Sequence, residues 1–350
     1  METKLLFYSD YLEGCCPEIL QRMTDTNYEQ TPGYGEDWHC ERARQLIKDA
    51  CGTPDADVHF LVGGTQTNTT VIASALRPHQ GVLCATTGHI NVHETGAIEH
   101  SGHKVLALPA VDAKIKASQI KDALEAHFND QCSEHIVQPG MVYISFPTEL
   151  GTLYSRQELQ DIKTECNEWN IPLFIDGARL GYGLTSPAAD VTLKDIAAIA
   201  DVFYIGGTKQ GALFGEAVVI NNDKLKPDFR YFIKQNGGML AKGRLLGIQF
   251  ETLFENDLYL RIARHANELA AKLADAFRTT GHEFLVDSPT NQIFPILTTE
   301  EAKKIDERFG YEEWQKIDEE RVGVRFCTSW ATPEESVDTL IETLELMNSR

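Results

Sequence analysis

YIGGTKQGALFGE, residues 204–216, places one lysine between an apolar run and a string of small residues. VFYIG (202–206) has the β-branched and aromatic content of a buried strand, and the Gly-Gly-Thr after it ends that strand. Most lysines are solvated at the surface. The glycines and apolar residues around Lys209 argue against that fate and leave room about its amine. A lysine in a tight, partly dry pocket has a lowered pKa and can condense with an aldehyde to a Schiff base.

Working outward, residues 38–220 alternate helical and strand-like patterns. The run from Glu36 and Asp37 to Cys51 reads as a helix closed by Gly52. VHFLVG (58–63), VLCAT (near 81–85), VYISF (142–146), PLFID (172–176), VFYIG and AVVI (217–220) read as strands. Helical patterns cover Thr65–Leu76 and Ser155–Glu168. Such a rhythm predicts a mostly parallel sheet covered by helices, with its chemistry at the carboxyl ends of the strands. Thr65, Asp176 and Lys209 are each expected there. Beyond about residue 243 a long helical stretch (243–280), then QIFPIL, GVRFCT and a closing helix near 333–348, read as a smaller α+β unit. The expected division is 1–37 as an N-terminal segment, 38–242 as a large domain and 243–350 as a small one.

The 350 residues suit a large domain with a smaller partner. No apolar run approaches the roughly 20 residues that span a bilayer, and METKLLFYSD does not read as a secretory leader, so a cytoplasmic protein is expected. Eight scattered cysteines without a CxxC pair read as thiols. A formal charge of −20 argues against nucleic-acid and anionic-membrane partners.

Three further stretches carry candidate chemistry. In FIDGARLG (174–181), Asp176 ends an apolar strand. Alone it reads as a turn or N-cap aspartate; with a task, it reads as an ion pair to the pyridine nitrogen of pyridoxal 5′-phosphate, keeping that ring able to accept electrons. LVGGTQTNT (61–69) sets glycines between a strand and a helix, either a plain turn or a phosphate cradle of backbone N–H groups. TGHINVHETG (87–96) holds His89, a surface histidine or one that stacks on a flat ring or moves a proton.

Together these stretches resemble the L-threonine aldolase family, within the β-eliminating lyase group of fold-type-I pyridoxal-phosphate enzymes. SDYLEG (9–14), GYGED (33–37), GGTQTN (63–68), GHIN (88–91), PTELGTLYS (147–155), DGARLG (176–181), GGTKQGALFGEA (206–217) and GVRFCTSW (323–330) follow in the family order. The resemblance implies an α/β, aspartate-aminotransferase-like fold with a mostly parallel seven-stranded sheet and a smaller α+β C-terminal domain. It implies that Lys209 carries the coenzyme, Asp176 pairs with its ring nitrogen, His89 stacks on it, and Gly64, Thr65 and Gln66 hold its phosphate. Ser9, Arg179 and Arg325 would grip a substrate carboxylate. Tyr34 would reach a neighbouring subunit's site, in a homo-oligomer built as a dimer of dimers. His135 is similar to a second family histidine near the substrate β-hydroxyl, and Lys234 to a loop lysine. Gln210 stands where many relatives have Asn or Gly.

The implied activity is that of a carbon–carbon lyase that splits L-threonine or L-allo-threonine to glycine and an aldehyde. β-Elimination or transamination of another amino acid is the alternative on the same scaffold. A histidine-dependent metal hydrolase is the alternative from another class: His89 and His93 are four apart, with His100 and His103 following. The spacing is not HExxH, and Gly88, Gly96 and Gly102 interrupt any regular helix. No metal is expected.

Overall fold

The computed structural model describes residues 4–348. The strands are β1 (Leu5–Leu6), β2 (Asp57–Leu61), β3 (Gln80–Ala85), β4 (Lys104–Leu108), β5 (Gln138–Ser145), β6 (Leu173–Asp176), β7 (Val202–Gly206), β8 (Glu216–Ile220), β9 (Gln292–Ile293), β10 (Ile296–Thr298), β11 (Phe309–Gly310), β12 (Glu312–Lys316) and β13 (Arg321–Cys327). β2 to β8 form a seven-stranded sheet in the order β2-β8-β7-β6-β5-β3-β4. The pairs among β3, β4, β5, β6 and β7 are parallel, and β8 runs antiparallel to both β7 and β2. The sheet is thus the mostly parallel one the sequence leads one to expect.

Strand alternation sorts the side chains onto two faces. Val142, Ile144, Leu173, Ile175, Phe203 and Ile205 join the larger apolar cluster on one face. Met141, Tyr143, Phe174, Val202 and Tyr204 join a second cluster, together with Val71 and Ile72 of the helix Gly64–Ala75. Asp176 follows Phe174 by two residues and shares its face. The alternation therefore aims Tyr143, Tyr204 and Asp176 toward the helix that carries Asn68.

Caps set several helix ends. Asp37 accepts from Cys40 N–H at the start of Trp38–Cys51, which ends on Gly52 in the left-handed region. Ser155 and Glu158 form a reciprocal capping box at the start of Arg156–Glu168. The stretch 243–280 is not one helix: Arg244–Phe254 and Leu258–Thr279 are separated by Asn256 and Asp257, both at positive φ. Short side chains that bond their own backbone tolerate that conformation and break the run.

β9, β10, β12 and β13 form a smaller sheet. β1 pairs in parallel with β11, and Cys327 N–H donates to the Phe7 carbonyl at 2.9 Å. A third apolar cluster, with Phe7, Leu273, Phe277, Phe326 and Leu340, packs beneath. All eight cysteines are free thiols. Among the described residues no helix is long and apolar enough to cross a membrane.

Candidate active site

A cleft of about 330 Å³ opens at the carboxyl ends of the parallel strands. Asp176 ends β6 there, and Lys209 follows β7. β8 begins at the same edge because it runs antiparallel, which brings Glu216 into the cleft wall.

Asp176 is buried, and both of its oxygens are bonded. Oδ1 accepts from Tyr204 Oη at 2.6 Å and Ala178 N–H at 3.0 Å. Oδ2 accepts from Tyr143 Oη at 2.5 Å and Asn68 Nδ2 at 3.2 Å. Burying a carboxylate costs several kcal/mol. Hydrogen bonds to a charged group at roughly 1.5–3 kcal/mol each offset that cost. Burial and the neighbouring Asp176 raise both tyrosines well above the usual phenol range, so both remain donors.

Lys209 is half-buried. Among the described residues its amine makes no hydrogen bond or ion pair; the Tyr11 ring lies 6.0 Å away. Burial, and then the nearby Arg179 guanidinium, lower its pKa. Its loop is tied to the Asp176 segment: Tyr182 Oη donates to the Lys209 carbonyl at 2.5 Å, and Gly181 N–H donates to Gln210 Oε1 at 2.8 Å. Gln210 thus holds the two motifs together. Glu216 accepts from Thr208 Oγ1 at 2.9 Å and Gly207 N–H at 3.3 Å, and burial pushes its carboxyl up to about 8.

The helix Gly64–Ala75 starts at the cleft without a side-chain cap. Among the described residues no acceptor meets the N–H groups of Gly64, Thr65 and Gln66. Orphan donors at a helix N-terminus favour an anion. The Gln66 side chain is spent elsewhere, accepting from Val62 N–H and donating to the Asn236 carbonyl. An amine with no hydrogen-bond or ion-pair partner among the described residues, a buried carboxylate oriented toward the cleft and an open row of N–H groups fit an aldehyde-bearing heterocycle with a phosphate arm, whose ring N–H would take the place of one of the donors now on Asp176.

The family model described as beta-eliminating lyase matches residues 7–300. The chain belongs to the beta-eliminating lyase family. Within it, the chain is 31% identical to a low-specificity L-threonine aldolase of Pseudomonas aeruginosa, over 97% of each chain. It is 44% identical to a threonine aldolase of Leishmania major with a TM-score of 0.96, over 98% of this chain and 99% of that one. An aspartate aminotransferase of Thermus thermophilus, a mutant form, shares the fold at 11% identity and a TM-score of 0.71, over 97% and 90% of the two chains.

The beta-eliminating lyase motifs do not all reach the cleft. His89 does: its backbone N–H donates to Glu149 Oε1 at 2.9 Å, and its Nδ1 lies 2.7 Å from Glu94 Oε1. Arg179 also lines the cleft, but Nε and Nη2 already hold Asp10 in a two-pronged pair at 2.7 and 3.0 Å. Ser9 is buried beside Asp10 and is not in the cleft wall. Arg325 is not an open clamp: it donates to Gln292 Oε1, the Tyr8 carbonyl and Glu312, and lies over the Trp314 ring. Tyr34 is half exposed, away from the cleft, with Lys234 Nζ 5.0 Å from its ring.

His135 needs correction as a candidate for this chain's own cleft. It is exposed in a turn, Ser133–His135, that leads into the amino end of β5, whereas the cleft lies at the carboxyl end of that strand. His93 sits with its ring 5.5 Å from that of His89, but His103 bonds the Gln80 carbonyl and His100 is exposed. Sequence reasoning missed Asn68, Glu94, Tyr143, Glu149, Tyr204 and Glu216. Two of them had a readable signal: Tyr143 and Tyr204 are the polar-tipped aromatics of strands that flank the Asp176 strand.

Proposed function

We propose that this chain is a pyridoxal-phosphate-dependent aldolase that cleaves L-threonine, L-allo-threonine and related β-hydroxy-α-amino acids to glycine and an aldehyde. One observation carries the reading: the Lys209 amine, which has no hydrogen-bond or ion-pair partner among the described residues, and the buried Asp176 carboxylate, held in place by its neighbours, face the same cleft. The likeness to threonine aldolases over nearly the whole chain supports the substrate class.

Lys209 would hold the coenzyme through its amine, Asp176 its ring nitrogen, and the N–H groups of Gly64, Thr65 and Gln66 its phosphate. When bound, pyridoxal phosphate supplies an electron sink for the pair released from a broken bond at the substrate Cα. The residues of the chain decide which bond breaks. Arg179 has its guanidinium fixed by Asp10 and keeps Nη1 for the substrate carboxylate. Arg325 joins it if the carboxylate displaces Glu312. Holding the carboxylate orients the Cα–Cβ bond for cleavage over its competitors. His89 Nε2 takes the β-hydroxyl proton as Cβ becomes the aldehyde carbon, and a proton returned to Cα completes glycine.

We also propose the three-part division at residues 37 and 242, a cytoplasmic setting, and a homo-oligomer in which Tyr34 reaches a partner's cleft. The exposed Tyr11, Leu12 and Leu213 support an interface near the cleft mouth.

The test is product identity. With added coenzyme, L-threonine, L-allo-threonine and L-phenylserine should yield glycine and the matching aldehyde. Borohydride should bleach the visible band and fix the coenzyme on the Lys209 peptide. Pyruvate and ammonia in place of glycine would move the reading to β-elimination.

A further inference from the structure

A line of polar side chains, buried except at His89, runs from His89 to Asp176. His89 Nδ1 lies 2.7 Å from Glu94 Oε1. The same oxygen accepts from Asn68 Nδ2 at 2.7 Å, and that nitrogen also donates to Asp176 Oδ2 at 3.2 Å. The Glu94 side chain has no exposed surface, and Asn68 is 1% exposed. Three separate segments meet here. Asn68 comes from the covering helix and Asp176 from the end of β6. Glu94 follows the short helix His89–Val92, where positive φ at Thr95 and Gly96 turns the chain.

The chemistry of the partners fixes the hydrogens. Asn68 faces two carboxylate oxygens with its NH₂, and turning the amide over would set its carbonyl against both. A carboxylate at Glu94 only accepts, so His89 Nδ1 carries the hydrogen. In a neutral imidazole the other nitrogen is then the acceptor. The side chain of His89 is 35% exposed, toward the cleft, so the free nitrogen has access to a substrate.

We propose that Glu94 and Asn68 are positioning residues for the cleavage step: Glu94 holds His89 in the tautomer whose Nε2 accepts the β-hydroxyl proton, and Asn68 locks Glu94 and Asp176 in one arrangement. This rests on the retro-aldol reading above. The proton passes from the substrate oxygen to Nε2 while the Nδ1 hydrogen stays on Nδ1, facing Glu94.

A double-mutant cycle on the coenzyme-loaded enzyme tests it, with kcat and KM for L-threonine and the coenzyme dissociation constant from fluorescence titration. Glu94→Gln should lower kcat by roughly 10–100-fold, part of the 10²–10⁴-fold that a positioned base supplies. KM and the coenzyme dissociation constant should stay within about threefold, and Glu94→Asp should recover part of kcat. In a His89→Phe background, with product accumulation followed over hours, Glu94→Gln should cost nothing more, because it acts through the missing imidazole. Asn68→Leu should lower kcat in the same way and be non-additive with Glu94→Gln. An equal loss in the His89→Phe background, or a loss carried by KM or by coenzyme release, makes Glu94 a packing group and overturns the proposal. Wild-type products separate the two failures: pyruvate and ammonia remove the retro-aldol reading itself, whereas glycine with an additive cycle removes only the positioning roles.

Discussion

Asp176 has four donors on its two oxygens, so its orientation is set before any ligand arrives. Replacing it with Ala removes a preorganised charge and should cost roughly 10²–10³-fold in kcat with the fold intact. Normal turnover in Asp176→Ala would count against its role. Lys209→Ala should lose both activity and the visible absorbance of bound coenzyme; an active variant with the normal spectrum would refute the central assignment. Glu216 offers a pH test. Its carboxyl rises from 4.5 to about 8 on burial. Between those values the folded chain keeps a proton that the unfolded chain has shed. Stability is therefore fully present below about 4.5 and falls as pH rises through about 8. Lys209, lowered in pKa, acts in the opposite direction at higher pH, and Glu216→Gln lowers it further because the Glu216 charge is one of those that hold it up. Glu216→Gln should be near wild type at pH 5 and more stable by on the order of 1 kcal/mol at about pH 9. Urea unfolding of the coenzyme-free protein reads this, and equal differences at both pH values would mean that Glu216 titrates elsewhere.

At the scale of elements, the site depends on how closely β6 and β7 end beside each other. Gly206 N–H donates to the Gly177 carbonyl at 2.9 Å. A Cβ at Gly177 would stand 1.9 Å from the Tyr204 carbonyl oxygen, and one at Gly206 2.3 Å from that of Ala178. Both obstacles are backbone, so no side chain can step aside. Gly206→Ala should cost about 1–3 kcal/mol and weaken coenzyme binding, because it parts Lys209 from Asp176. A variant with wild-type melting and coenzyme affinity would show the strand ends to be less constrained. Such strands are legible in sequence because burial on both faces makes them continuous apolar runs ended by Gly and Asp. The edge strand β4 escaped notice, as did β12, whose EEWQK is largely charged. The break at Asn256 and Asp257 was hidden inside a helical pattern. Lys209 and Asp176 were readable because each stands out from its neighbours. Glu94 was not: it stands only five residues after His89, but the buried link that gives it a task runs through Asn68, which is distant in sequence and brought to it only by the covering helix. The pairing of Arg325 with Glu312 likewise depends on strand register, Glu312 opposite Arg325. His135 fell at the wrong end of β5, which no local motif could reveal.

For the molecule as a whole, the excess of 52 acidic over 32 basic residues sets a field that opposes any anion. The cleft does little to counter it with arginine. Asp10 offsets Arg179, and Glu312 offsets Arg325. What remains for a phosphate is short-ranged: the uncapped N–H groups of Gly64, Thr65 and Gln66. A coenzyme carrying a phosphate must therefore approach against long-range repulsion and be captured by contacts that act only within a few ångströms. Salt screens the first more than the second, since the Debye length falls from about 30 Å at 0.01 M to about 10 Å at 0.1 M. Raising ionic strength across that range should speed coenzyme association with the coenzyme-free protein by roughly 2–10-fold. Dissociation should change little. Stopped-flow absorbance with pyridoxal phosphate reads both rates, and uncharged pyridoxal serves as the control whose association is insensitive to salt. An association rate that falls as salt is added would mean that the local positive groups govern the approach, and that the net charge of the chain is arranged away from the cleft.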